Sequence, residues 1–256
     1  MRIMFLNQAP RSPDDGGYHE RIQALLQGYA SPGTIIDLCY PDDMDGGRVM
    51  RAASEQKVHT ELPYTMTGAA LVRKAVWAER NGYDAVIQSN NFEPGVEASR
   101  LAVRIPVIGL CRTTMLVAAS LAERVGVTVP FDGYAFTARR LLRSYRLEQY
   151  VTDVRTMSLP GFNIAKEEVQ ARAADVMRGL VHDTGAECIV PLGGAVIPYI
   201  VDPKDLEREV GVPVLNNKSI GIHYAEMCVN LGLAHSPHTY PTAKLSEADF
   251  SAPAYG

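Results

Sequence analysis

Apolar residues along this chain fall into two alternating patterns. Runs of strand length occur at Ile3–Leu6, Thr34–Leu38, Ala85–Gln88, Val107–Leu110, Val125–Val129, Val154–Leu159, Cys188–Leu192 and Val212–Leu215. Stretches of helical period lie between several of them. In Ala69–Asn81 the apolar positions Leu71, Val72, Ala75 and Val76 recur at three and four residues, which places them on one helix face. Thr113–Arg124 opens on two threonines, whose hydroxyls suit the unpaired N–H groups of a helix start. Lys166–Asp183 is followed by Gly185, a residue fitted to a left-handed C-cap. A last helix is expected over Ser219–Leu231. Strands alternating with helices predict an α/β fold, with mainly parallel sheets flanked by helices.

Two segments echo each other at an offset of 103 residues. The first is Gly82-Tyr83-Asp84-Ala85-Val86-Ile87-Gln88-Ser89-Asn90-Asn91, and the second is Gly185-Ala186-Glu187-Cys188-Ile189-Val190-Pro191-Leu192-Gly193-Gly194. Each has a helix-ending glycine, an acidic residue two later, an apolar strand and a small or polar tip. A second echo pairs Ile105-Pro106-Val107-Ile108-Gly109 with Val212-Pro213-Val214-Leu215-Asn216. The spacing is too long for a solenoid repeat. It fits two pseudo-symmetric lobes, residues 1–108 plus 216–256 and residues 109–215, with a cleft between them. Residues 41–66 are the least regular. Pro41-Asp42-Asp43-Met44-Asp45-Gly46-Gly47 is turn chemistry, read either as a long active-site loop or as a solvated excursion.

Bulk properties narrow the function class. Among 256 residues, 46% are hydrophobic and 21% charged, as in globular proteins. A net charge of −4 gives no footprint for nucleic acid. No apolar run approaches the length that spans a bilayer, and the N-terminus reads as a first strand and not as a signal peptide. Cys39, Cys111, Cys188 and Cys228 are widely spaced with no CxxC, which suits free thiols in a cytoplasmic setting. His235 and His238 lack the further ligands that a metal needs, so no metal site is expected.

Ligands of open α/β sheets bind beyond the carboxyl ends of the strands. That rule selects Asn7-Gln8, Pro41-Asp42, Ser89-Asn90-Asn91, Cys111-Arg112-Thr113-Thr114, Phe131-Asp132, Gly193-Gly194-Ala195 and Asn216-Asn217-Lys218. Several of these enter helix N-termini, where backbone N–H groups favour an anion such as a carboxylate. The expected binding set is Asn7, Ser89, Asn91, Arg112, Thr113, Thr114, Gly193, Gly194 and Asn216. Ser89 has no histidine or aspartate near it in sequence to activate it, and reads as a strand-end hydrogen-bonder. Cys111, beside Arg112 and a helix start, is a candidate for a thiol of lowered pKa; a buried apolar residue is the competing reading. Glu93 is either a general acid/base or a helix-dipole partner.

The echoed tips, with Asn90-Asn91-Phe92-Glu93-Pro94-Gly95-Val96-Glu97-Ala98, the two proline-bearing strands, Tyr145-Arg146-Leu147 and the closing Ala225–Leu233 segment, resemble the aspartate/glutamate racemase superfamily, closest to its hydantoin racemase branch. The resemblance implies two α/β lobes around a central cleft, a small-molecule substrate, no cofactor or metal and a homo-oligomer. It also implies a cysteine at each tip, four residues before the proline and after the Leu-Gly-type pair. Those positions hold Asn90 and Gly194.

Racemisation needs a base on one face of a carbon and an acid on the other. Asparagine and glycine transfer no protons near neutral pH, so two-thiol chemistry is not expected. The tip amides are left as oxyanion donors, each worth about 3 kcal/mol of barrier, or as ligand anchors. The leading expectation is therefore a cofactor-independent enzyme acting on a small carboxylate or cyclic ureide as a lyase, one-base isomerase or hydrolase, with Cys111, Asn90 and Glu93 as the catalytic candidates. One alternative is a racemase or epimerase with atypical bases, such as Cys111 with Glu93 or a histidine. The other is a non-catalytic binder of small ligands.

Overall fold

The computed structural model of the chain describes residues 1–8, 11, 15–41, 49, 52, 61–161, 164–243 and 249. Most of the irregular stretch at 41–66, including Asp42 to Gly47, lies outside them. Seven strands are described: β1 (Arg2–Leu6), β2 (Ile35–Cys39), β3 (Ala85–Gln88), β4 (Val107–Gly109), β5 (Val125–Val129), β6 (Val151–Thr156) and β7 (Cys188–Pro191). They form two parallel sheets, ordered β2-β1-β3-β4 and β6-β5-β7. The second sheet gains a fourth position through a bridge between Ile189 and Val214. β3 and β5 are buried along their whole length, as expected for strands covered on both faces.

Eight α-helices accompany the strands among the described residues: α1 (Tyr18–Tyr29), α2 (Glu61–Arg80), α3 (Val96–Ala102), α4 (Leu110–Leu121), α5 (Asp132–Ser144), α6 (Lys166–Thr184), α7 (Pro203–Val210) and α8 (Asn217–Asn230). Gly185 ends α6 at φ 66°, and its N–H reaches the carbonyls of Leu180 and Val181. Ile222, Ala225 and Cys228 of α8 share an apolar core with Ile3, Ile87 and Ile108 of the first sheet. The chain thus leaves the second sheet at Val214 and returns to the first.

The offset of 103 residues reappears in the backbone. Asp84 N–H donates to the Arg2 carbonyl and Glu187 N–H to that of Arg124, both at 2.8 Å. Val86 donates to Pro106 as Ile189 does to Pro213, and Ser89 to Leu6 as Leu192 does to Thr128. The equivalent glycines, strands and prolines therefore carry the same ladder twice.

Three elements depart from the expected pattern. β6 lies three residues before the predicted run, because pairing with β5 begins at Val151 and Ser158 turns the chain at φ 47°. Val212–Leu215 is reduced to one bridge, since α8 begins two residues after Leu215. α4 starts at Leu110, directly after a three-residue strand, so Thr113 and Thr114 lie inside the helix and do not cap it.

Candidate active site

The tips of β1, β3 and β7 meet at one cavity of about 210 Å³ between the sheets. It is lined by Asn7 and Gln8, by Ser89, Asn90, Asn91 and Phe92, by Gly193, Gly194 and Ala195, and by Tyr18, Tyr134, Tyr199 and Lys218. The volume is below the roughly 300–1,000 Å³ usual for drug-sized ligands. A compact metabolite is what fits.

Hydrogen bonds fix the rim. Asn7 Oδ1 accepts from the Gln8 N–H at 2.8 Å and from the Ser89 hydroxyl at 3.3 Å. Asn90 Oδ1 accepts from the Phe92 N–H at 2.7 Å, an Asx-type turn that holds the β3 tip. Asn91 Oδ1 accepts from the Gly194 N–H at 3.0 Å, joining residues 103 apart across the two lobes. The other half of that carboxamide, Asn91 Nδ2, is buried and has no hydrogen-bond partner among the described residues. An unmatched buried donor beside a cavity is a group that an anionic or carbonyl ligand satisfies.

The cavity also holds a lysine whose side chain sequence reasoning did not single out. Lys218 sits in the first turn of α8 and is 1% exposed. Its ammonium donates to the Ser89 carbonyl and lies 5.4 Å from the Tyr199 ring centre and 5.8 Å from that of Phe5. Among the described residues it has no carboxylate partner. Burial without a counter-charge pulls its pKa down from 10.5 to about 7. Gly194 makes room for it. A Cβ on Gly194 would fall 2.6 Å from Lys218 Cε and 2.8 Å from Asn91 Oδ1, closer to both than real side chains stand.

Several expected site residues are placed elsewhere. Cys111 is fully buried in the apolar cluster that includes Met115 and Ala118. Burial, reinforced by the Glu93 charge, pushes its thiol well above the ordinary range, the reverse of an activated thiolate. Glu93 is buried away from the tip cavity. It does not begin a helix but sits at φ 58°, and its carboxylate caps α4 by accepting the Arg112 N–H at 2.8 Å and the Tyr145 hydroxyl at 2.5 Å. Burial raises its pKa, with those hydrogen bonds opposing the rise. The Arg112 guanidinium lies over the Tyr145 ring, and Arg112 and Thr113 line a separate cavity with His235. Thr114 is buried inside α4. Asn216 caps α8, its Oδ1 accepting the N–H groups of Lys218 and Ser219 at 3.1 Å each. Asn7, Ser89, Asn90, Asn91, Gly193 and Gly194 do line the tip cavity.

A family model described as Asp/Glu/hydantoin racemase matches residues 17–225. The chain belongs to the Asp/Glu/hydantoin racemase family. It is 30% identical over 200 residues to a hydantoin racemase of Rhizobium meliloti, covering 72% of this chain and 81% of that one. A hydantoin racemase of Pseudomonas sp. (strain NS671) is 29% identical over 171 residues, covering 65% and 68%. The allantoin racemase of Klebsiella pneumoniae superposes with a TM-score of 0.80 at 22% identity, over 96% of this chain and 95% of that one. That last likeness is one of fold: two parallel sheets flanked by helices. No helix among the described residues is long and apolar enough to cross a membrane. Within the family frame, Lys218 was visible in sequence only as the end of a polar strand-tip loop. Burial of its amine in the cavity carries no local sequence signal.

Proposed function

We propose that the chain is a cofactor-independent enzyme of this family that removes a proton from an acidic carbon of a small carboxylate or cyclic ureide, with the Lys218 amine as the base. The observation that carries this reading is the amine itself, buried in the tip cavity without a counter-charge, in the space that a side chain at Gly194 would need. An amine of pKa near 7 is substantially neutral at working pH and accepts a proton there. Asn91 Nδ2 and the neighbouring tip amides supply donors for the negative charge that builds on the substrate oxygen. A single base of this kind accommodates one-base isomerisation, in keeping with relatives that are racemases. Lyase and hydrolase courses are the less economical readings.

The test is deuterium wash-in from D₂O into 5-substituted hydantoins, allantoin, aspartate and glutamate, followed by mass and chirality of the product. Exchange at the stereocentre is expected in at least one class, with the product mass raised only by the deuterium taken up. Lys218→Met should lower the exchange rate by about 10²–10⁴, the usual contribution of a positioned base. Undiminished exchange in that variant would sink the assignment of the base.

A further inference from the structure

The cavity contains the parts for a second kind of chemistry, one that uses the Lys218 amine as a nucleophile and not as a base. We propose that Lys218 forms an imine with the carbonyl of a small 2-oxo carboxylate bound in the tip cavity. The proposal shares with the functional reading above its cavity and its lysine. It does not depend on the amine acting as a base.

Four features of the site support it. Lys218 Nζ is enclosed by the Phe5 and Tyr199 rings and, among the described residues, faces no carboxylate. Among the described residues its one hydrogen-bond acceptor is the Ser89 carbonyl, which leaves the nitrogen lone pair available once the proton has gone. Desolvation is the usual route by which enzymes obtain a nucleophilic lysine, and here it brings the pKa to about 7. A carboxamide that can serve a carboxylate lies beside the amine. The Cβ position of Gly194 is a single point that falls 2.6 Å from Lys218 Cε and 2.8 Å from the Asn91 carboxamide oxygen. Asn91 Nδ2, buried and unpaired among the described residues, belongs to that carboxamide. A carboxamide this near the amine is placed to meet a carboxylate on the carbon next to the carbonyl. The cavity volume, about 210 Å³, suits a ligand of that size.

The step balances without any oxidant or reductant. The neutral amine attacks the carbonyl carbon, and the C=O π pair moves to oxygen, which takes up a proton. The nitrogen gives up one proton to leave the neutral carbinolamine, the hydroxyl takes one and departs as water, the C=N bond forms as an iminium, and loss of the remaining N–H proton gives the imine. One carbonyl and one amine become one imine and one water. The phenols of Tyr18 and Tyr199 line the same cavity and are held neutral by burial, so they are available as O–H donors for the departing hydroxyl.

The experiment incubates the full chain near neutral pH with pyruvate, 2-oxobutyrate or oxaloacetate and sodium cyanoborohydride, which reduces an iminium to a stable secondary amine. Intact mass and peptide mapping then locate the adduct. One adduct per chain is expected, mapped to Lys218, formed well before labelling of the exposed Lys166 and Lys204, and absent in Lys218→Met. No adduct, or labelling spread evenly over exposed lysines, overturns the proposal. Mapping in the unsubstituted protein decides this even where the variant folds poorly. The two readings fail separately. Lys218-dependent deuterium exchange with no adduct removes the imine and keeps the base; an adduct with no exchange into any hydantoin or amino acid does the reverse.

Discussion

At the scale of single residues, the cavity is organised by what Gly194 lacks and what Lys218 carries. The glycine leaves open the volume that the lysine tip fills. The energetic consequence is measurable. In the unfolded chain Lys218 titrates near 10.5, and in the fold near 7. Below pH 7 both states hold the proton, so folding buries a charge and bears the full penalty. Between 7 and 10.5 the unfolded chain binds more protons than the fold, and stability rises with pH. Lys218→Met removes the charge while keeping similar bulk. It should therefore stabilise the protein below pH 7 by an amount on the order of 5 kcal/mol, with the gain shrinking towards pH 10.5. Urea unfolding of both proteins across that range checks the slope, and a flat difference would mean that the amine is not desolvated. In the active protein, kcat/KM should rise with pH through about 7 as the amine loses its proton.

At the scale of elements, helix starts do much of the positioning. Asn216 closes the first turn of α8, and that turn carries Lys218. Asn216→Ala should cost about 1 kcal/mol of stability, the usual worth of an N-cap. It should also weaken activity more than another cap of equal energy, such as Asp202 at the start of α7, which accepts from the Lys204 N–H and does not itself line the cavity. Comparing Asn216→Ala with Asp202→Ala by thermal unfolding and turnover separates general stability from placement of the amine. The capping of α4 explains why two candidate residues were misplaced by sequence reasoning. Pattern alone read Glu93 as a general acid/base or as the dipole partner of a helix of its own, and put Thr113 at a helix start. The helix begins three residues earlier, and Glu93, held at φ 58°, reaches across to serve its N–H groups. A cap supplied from another segment leaves no mark in the local sequence of the helix that it caps.

At the scale of the whole molecule, the two sheets are tied across the cleft. The Asn91–Gly194 hydrogen bond is one link. Phe92 is another: its ring stacks on Tyr64 at 5.8 Å and meets Tyr134 edge-on at 4.8 Å, within the apolar cluster that also contains β5 and β7. Phe92 also lines both the tip cavity and the neighbouring one around Glu93, so it stands between them. Phe92→Ala should lower the free energy of unfolding by about 3–5 kcal/mol, measured by urea denaturation. Loss of less than about 1 kcal/mol would mean that the ring is not part of a packed core.

The sequence by itself determined the class of fold, the duplication and the tips. Strand and helix periods are local, and an offset of 103 residues between two glycine-bounded strands survives in the backbone ladder because hydrogen bonds follow register. For the same reason Asn7, Ser89, Asn90, Asn91, Gly193 and Gly194 were legible: ligands of parallel sheets bind beyond the strands' carboxyl ends, and the residues that follow β1, β3 and β7 line the crevice. Only the tertiary structure decided which nitrogen occupies the cleft and which thiol does not. Cys111 and Lys218 both follow apolar runs and both sit in the first turn of a helix. Their fates differ because α4 buries Cys111 among core side chains, while α8 returns to the first sheet and brings Lys218 under Gly194. Burial and counter-charge set a group's pKa, and both are sums over neighbours distant in sequence.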